Sequence, residues 1–190
     1  EGPGAPTPTR GLRPTSARRL LWGGCYVFFY KEEAGKAIGE GLKLNAVLTS
    51  CSLIQNDIGT ESATMLAKIG TEKRIMLFGI KHDQKEADFY GQDVGPVDAI
   101  LIASDLLVST SIIVTDMRYN NLDTEAATML VNVAKEKGIS LCGITPEQME
   151  ADFRPFKNNY NSMRPADAIL LTADLAVRGS VTKVLVSEGR

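Results

Sequence analysis

Apolar and polar residues follow one another along this chain in a pattern that recurs. The series Leu48, Cys51, Leu53, Asn56, Ile58 places apolar residues around one polar turn position, and Ala63 and Leu66 follow at helical spacing. That order predicts a short strand, an asparagine turn and a helix. The series Ile112, Thr115, Met117, Asn120, Leu122, Ala127, Leu130 repeats it, each member 64 residues after its counterpart. Recurrence at a fixed period speaks for an architecture more strongly than any one residue does.

Weaker copies lie between and beyond these two. One reads Gln84, Ala87, Phe89, Gln92, Val94. Another begins Gln148, Ala151, Phe153, and about five extra residues within RPFKNNYNS delay its turn to Asn161 and Met163. A last one starts Val181, Val184, Val186. The helical halves align as well: Ala63, Ala99, Ala127 and Ala168, then Leu66, Ile102, Leu130 and Leu171, with Leu42, Leu106 and Leu175 further along the same stripe. A stripe at i, i+3 and i+7 is one buried helix face. The columns Cys51, Thr115, Val184 and Leu53, Met117, Val186 are the expected shared core. Thr60 and Thr124, each followed by Glu and preceded by Asp57 or Asp123, mark helix starts. Two longer units carry added segments, EKRIMLFGIKHD at 72–83 and EKGISLCGITPE at 136–147. IMLFGI and ISLCGI read as strands. They are either extra strands or the true strands of the next units, with QKEADF and QMEADF as loops.

LTSCSLIQNDI fits L-x-x-L-x-L-x-x-N-x-L, with Cys51 and Ile58 as substitutes, and a helix carrying A-x-x-L follows it. The pattern resembles the leucine-rich repeat of the ribonuclease-inhibitor type across residues 31–190. The departures are Gln92 in place of Asn, Gln84 and Gln148 at an apolar position, and the insertions. The resemblance implies an α/β solenoid, a leucine-rich-repeat array with a curved parallel sheet inside and helices outside. On this reading residues 1–19 are a disordered Pro/Arg-rich segment and residues 20–190 the array, with a degenerate first unit and a truncated last one. A doubly wound α/β domain is the alternative fold, since strands and helices alternate there too.

Composition bounds the function. Of 190 residues, 44% are hydrophobic and 23% charged, which suits a folded chain, and the net charge of −2 offers nucleic acid no basic surface. Cys25, Cys51 and Cys142 lack metal-ligand spacing and read as buried thiols in a reducing, cytoplasmic setting. Four arginines, Arg10, Arg13, Arg18 and Arg19, precede the apolar run LLWGGCYVFFY. That run reads as a poorly matching first unit, with a secretory signal as the alternative. No apolar run reaches the length of a membrane span.

Candidate chemistry is thin. His82 is the only histidine, and no phosphate-binding or nucleophile-elbow motif occurs. Asp105 and Asp174 occupy matched frames, SDLL and ADLA, which favours a solvated face or a local cap over a catalytic pair. No catalytic residue, cofactor or metal is expected. The rows that the template leaves outward are richer: Ser52, Asp88, Asp116, Asp152 in one, and Ile54, Tyr90, Arg118, Arg154 in the next, with Tyr119 alongside. Tyr and Arg are the residue types of interface hot spots. These nine residues predict a protein-binding strip on the concave face of a non-catalytic scaffold. The resemblance also implies regulation of an enzyme partner, either nuclease inhibition or small-GTPase activation. The apolar N-terminal run and the C-terminal strand VLVSEG predict self-association through uncapped ends.

Overall fold

The computed structural model describes residues 31–190 apart from Gln55, 155–162 and 187–190. The expected disordered segment, the apolar run at 20–30 and the inserted turn at Asn161 therefore lie outside the described residues. Helices α1 (Lys31–Leu44), α2 (Thr60–Lys73), α3 (Pro96–Val108), α4 (Thr124–Lys137) and α5 (Pro165–Val177) alternate with three-residue strands. These are β1 (Glu86–Asp88), β2 (Val114–Asp116), β3 (Glu150–Asp152) and β4 (Lys183–Leu185). Each helix packs on the next one in the chain, α1 on α2 through to α4 on α5.

The helix starts follow from local chemistry. Asp123 accepts the Ala126 N–H at 2.7 Å to cap α4, and Gly138, at φ +69°, ends it in the left-handed conformation. Gly59 gives α2 no side-chain cap, and Glu32 of α1 supplies one from outside, accepting the Ser62 N–H at 3.0 Å and its hydroxyl at 2.6 Å. Pro96 and Pro165 open α3 and α5, where a missing N–H costs nothing. Asp98 and Asp167 fold back onto the N–H groups of Gly95 and Arg164, both at 2.9 Å.

The helical stripe is the core. Ala63, Leu66, Ala99, Ile102, Leu106, Ala127 and Leu130 are buried, and Leu53, Met117 and Thr115 close it from the strand side. Cys51 and Val184 are only half-buried and Val186 is exposed, so the expected core columns fade at both ends.

The sheet is different from the one expected. β1 pairs with β2 and β3 with β4, each in parallel, giving two separate two-stranded sheets. Single bridges add Ser50 to Met76 and Val114 to Ser140. Among the described residues, five helices and these short pairings make a helix-rich α/β fold without an extended curved sheet. The leucine-rich-repeat solenoid, and with it the repeat array and its concave face, is corrected accordingly.

Two buried carboxylates give the physical reason. Asp105 of α3 accepts the N–H groups of Leu77 at 2.5 Å and Phe78 at 2.8 Å. Asp174 of α5 does the same for Leu141 at 2.8 Å and Cys142 at 2.9 Å, and also accepts the Ser140 hydroxyl. IMLFGI and ISLCGI thus spend outward N–H groups on a carboxylate, where a following strand would need them. They do carry strand-like bridges, but as added segments, since β1 and β3 fall within QKEADF and QMEADF. Asp105 and Asp174 thus form neither the solvated face nor the local cap that was expected: both are buried and bind the backbone of distant segments.

Glutamine at the apolar position also has a reason. Gln84 accepts the Lys81 N–H at 3.0 Å and donates to the Glu86 carbonyl at 2.6 Å. Gln148 repeats this with Thr145 at 3.2 Å and Glu150 at 2.8 Å. Each side chain closes the turn that leads into a strand, a task no aliphatic residue performs.

Candidate protein-interaction site

Three strands end in aspartate, and the residue two further on is Tyr90, Arg118 or Arg154. The backbone N–H of that residue returns to the carboxylate in each case. The distances are 2.9 Å from Tyr90 to Asp88, 3.1 Å from Arg118 to Asp116 and 2.9 Å from Arg154 to Asp152. An aspartate that bonds the backbone two residues on forms a local turn from its own side chain. The parallel register sets Asp88 beside Asp116, so the turns of β1 and β2 line up in a row.

Arg118 is the centre of this row. Its Nε and Nη2 reach the Asp116 carboxylate at 2.8 and 2.5 Å, and its Nη1 donates to the Asp152 carbonyl at 3.0 Å. The guanidinium lies 5.4 Å from the Tyr90 ring centroid and 5.1 Å from that of Phe153. A planar cation between two aromatic faces is well matched to their charge distribution. Burial alone would lower the Arg118 pKa, but the Asp116 hydrogen bond and charge outweigh it and the net shift is upward. Gly143, at φ +72°, permits the close approach here, because a Cβ on it would sit 2.9 Å from the Asp116 carboxylate oxygen.

Tyr119 completes the cluster from below. It stands at φ +58°, packs its ring 5.2 Å from that of Tyr90, and donates its hydroxyl to the Phe153 carbonyl at 2.9 Å. Its N–H goes to buried Asp167 at 2.9 Å. Burial is the main force raising the pKa of both tyrosines, so both stay protonated. Arg154 grips Asp152 through Nε at 3.0 Å and Nη2 at 2.7 Å on the outer rim. That bond holds the Asp152 carboxyl down to about 2.

The structure therefore brings together Asp88, Tyr90, Asp116, Arg118, Tyr119, Asp152 and Arg154. It does not join Ser52 and Ile54 to them. Ser52 is exposed, and Ile54 is half-buried against the core in the 50–54 segment. The outward row is also corrected in part, because Tyr119 is buried and Asp116 and Arg118 keep only 15% and 19% of their side-chain surface. Asp88, Tyr90, Asp152 and Arg154 form the accessible rim.

Phe153 and Asp167 support the site without having been singled out. Phe153 reads as a core residue in the strand pattern. Asp167 shares a frame with Asp98 in PADAI and PVDAI, a signal as visible as the one that drew attention to Asp105 and Asp174.

The lone histidine has a modest place, its Nε2 lying 3.2 Å from the Thr49 carbonyl on an exposed turn. Among the described residues no group of three or more His, Cys, Asp or Glu side chains could hold a metal ion. No described helix is long and apolar enough to cross a membrane. No protein-family model matches the chain, and no curated protein matches its sequence significantly.

Proposed function

We propose that this protein is a non-catalytic protein-interaction module that binds its partner through the rim formed by Asp88, Tyr90, Asp152 and Arg154. The observation that carries the reading is the locked guanidinium of Arg118, held by Asp116 and stacked between Tyr90 and Phe153. That arrangement fixes the aromatic and charged rim before any partner arrives. A preorganised surface loses less side-chain freedom on binding and so keeps more of its contact energy. Tyr90 supplies a large amphipathic face, and the Asp152–Arg154 pair supplies both signs of charge beside it. A partner segment offering its own Arg or Lys opposite Asp88, and a carboxylate opposite Arg154, fits this surface. Free thiols at Cys51 and Cys142 suit a reducing compartment, in keeping with a cytoplasmic location.

The test is affinity capture from cell extract with quantified partners, comparing the wild-type chain with Tyr90→Ala combined with Arg154→Ala. A specific partner that falls at least about tenfold with the double variant supports the reading. Partners retained equally by both baits overturn it.

A further inference from the structure

Strands β1 and β3 are the same three residues, Glu-Ala-Asp, with the alanine buried and both carboxylates exposed. Alternate residues of a strand share one face, so each strand carries two carboxylates side by side, about 7 Å apart along the chain. On β3 both are paired from within the molecule. Glu150 receives Lys183 Nζ at 3.1 Å, from the register-matched position of β4. Asp152 receives Arg154, with Nε on one oxygen at 3.0 Å and Nη2 on the other at 2.7 Å.

β1 has the same carboxylates and neither cation. The position of β2 in register with Glu86 holds Val114, which is buried. The position two beyond Asp88 holds Tyr90. The Tyr90 N–H still closes the turn on Asp88 Oδ1 at 2.9 Å, as the Arg154 N–H does on Asp152 Oδ1. The turn is therefore built as in β3, and what it lacks is the guanidinium. Asp116, in the remaining turn of this kind, is held by its own arginine through the same two nitrogens. Among the described residues no ion pair engages Glu86 or Asp88. Arg118, across from them on β2, is committed to Asp116 and to the Asp152 carbonyl.

We propose that the partner lays a basic, extended segment across β1, with an arginine on Asp88 and a second cation on Glu86. The two take the places that Arg154 and Lys183 hold on β3. The inference rests on the rim being the binding surface and names the chemistry of the partner that the rim accepts. Two of the three matched turns show what the carboxylate of the third binds: a planar donor edge that meets both oxygens at once. Arginine presents such an edge, and the single ammonium of lysine does not. In an extended peptide two side chains on one face are two residues apart, which is also the spacing of Glu86 and Asp88.

The test is a nuclear magnetic resonance titration of the full 190-residue chain with the peptide acetyl-Gly-Arg-Gly-Arg-Gly-amide. The expected result is saturable movement of the Tyr90 amide resonance, with the lysine analogue of the peptide binding more weakly. Glu86→Gln combined with Asp88→Asn weakens the arginine peptide at least about fivefold. Asparagine keeps the acceptor that closes the Tyr90 turn, and the amide spectrum verifies that the variant is folded. Glu125→Gln combined with Glu136→Gln removes the same charge from exposed positions of α4 and leaves the affinity unchanged. A Tyr90 resonance that does not move overturns the proposal. So does binding that survives loss of both β1 carboxylates, equal binding of the lysine peptide, or equal weakening by the α4 variant. The capture experiment separates this inference from the rim reading. A partner lost on Tyr90→Ala with Arg154→Ala, but kept by the β1 variant, leaves the rim standing and removes the arginine assignment.

Discussion

Single side chains settle much of this molecule, and Asp105 shows how. Buried at 0% exposure, it receives N–H groups from Leu77 and Phe78. Asp105→Ala would strand those donors away from water, at a cost of about 2–4 kcal/mol. Urea unfolding of the variant beside the parent checks the figure. Its titration has a definite sign. Burial is the largest influence and raises the carboxyl from 3.8 to about 6, against the backbone hydrogen bonds and the charge of His82. The folded chain then holds this proton more tightly than the unfolded chain does. Stability from this group therefore grows as pH falls from above 6 toward 4, and is lost as pH rises through about 6. Unfolding midpoints of wild type and Asp105→Asn, compared from pH 7.5 to pH 4.5, should show the wild type gaining on the variant. A gap that stays constant across that range would rule the titration out.

Asparagine teaches a sharper lesson at the same scale. Asn56 and Asn120 occupy the same turn position in the pattern, and an asparagine there has the donors and the acceptor to bond an adjacent turn. Asn120 does so, donating to Phe89 and Met117 carbonyls at 2.8 Å and accepting the Val94 N–H at 3.0 Å. Among the described residues Asn56 makes one local bond, to the Ile54 carbonyl at 3.3 Å. Asn120→Leu should cost about 2–4 kcal/mol and Asn56→Leu well under half of that. Equal losses in thermal unfolding would contradict the account. The sequence pattern carries residue type and spacing, but whether a neighbouring turn stands within reach is a fact of packing.

At the scale of elements, the helices and the strand positions were legible and the extent of the sheet was not. Thr60 and Thr124 start α2 and α4 as expected, and α3 and α5 recur with the five-residue delay that the insertion imposes. Helices announce themselves through stripes such as Ala63–Leu66 and through capping residues such as Asp123. The repeated series places β1 to β4, but strands of three residues do not show how far a sheet extends. Their extent depends on whether a neighbour's carbonyl or a carboxylate such as Asp174 takes their N–H groups, and that carboxylate lies 33 residues away from Leu141. The candidate site was legible in its row of Asp, Tyr and Arg and opaque in its depth. Arg118→Ala tests this directly. The variant leaves Asp116 unpaired in a largely covered position and removes a stacked side chain, so it should lose about 2–4 kcal/mol of stability. Arg154→Ala, on the exposed rim, should leave the melting temperature unchanged. Two variants of one residue type in matched turns, measured by differential scanning calorimetry, thus separate a supporting residue from a contacting one.

For the molecule as a whole, one face is a charged and aromatic rim, held from beneath by Arg118 and Tyr119. The central claim is that the rim binds a protein. Its most direct measurement is site-specific photo-crosslinking in cells, with the reactive group placed at Asp88 or Arg154 and, for contrast, at the exposed Glu72 of α2. The account predicts discrete adducts of one partner from the two rim positions and none of that partner from Glu72. Adducts of the same partner from all three positions, or from Glu72 alone, would contradict it.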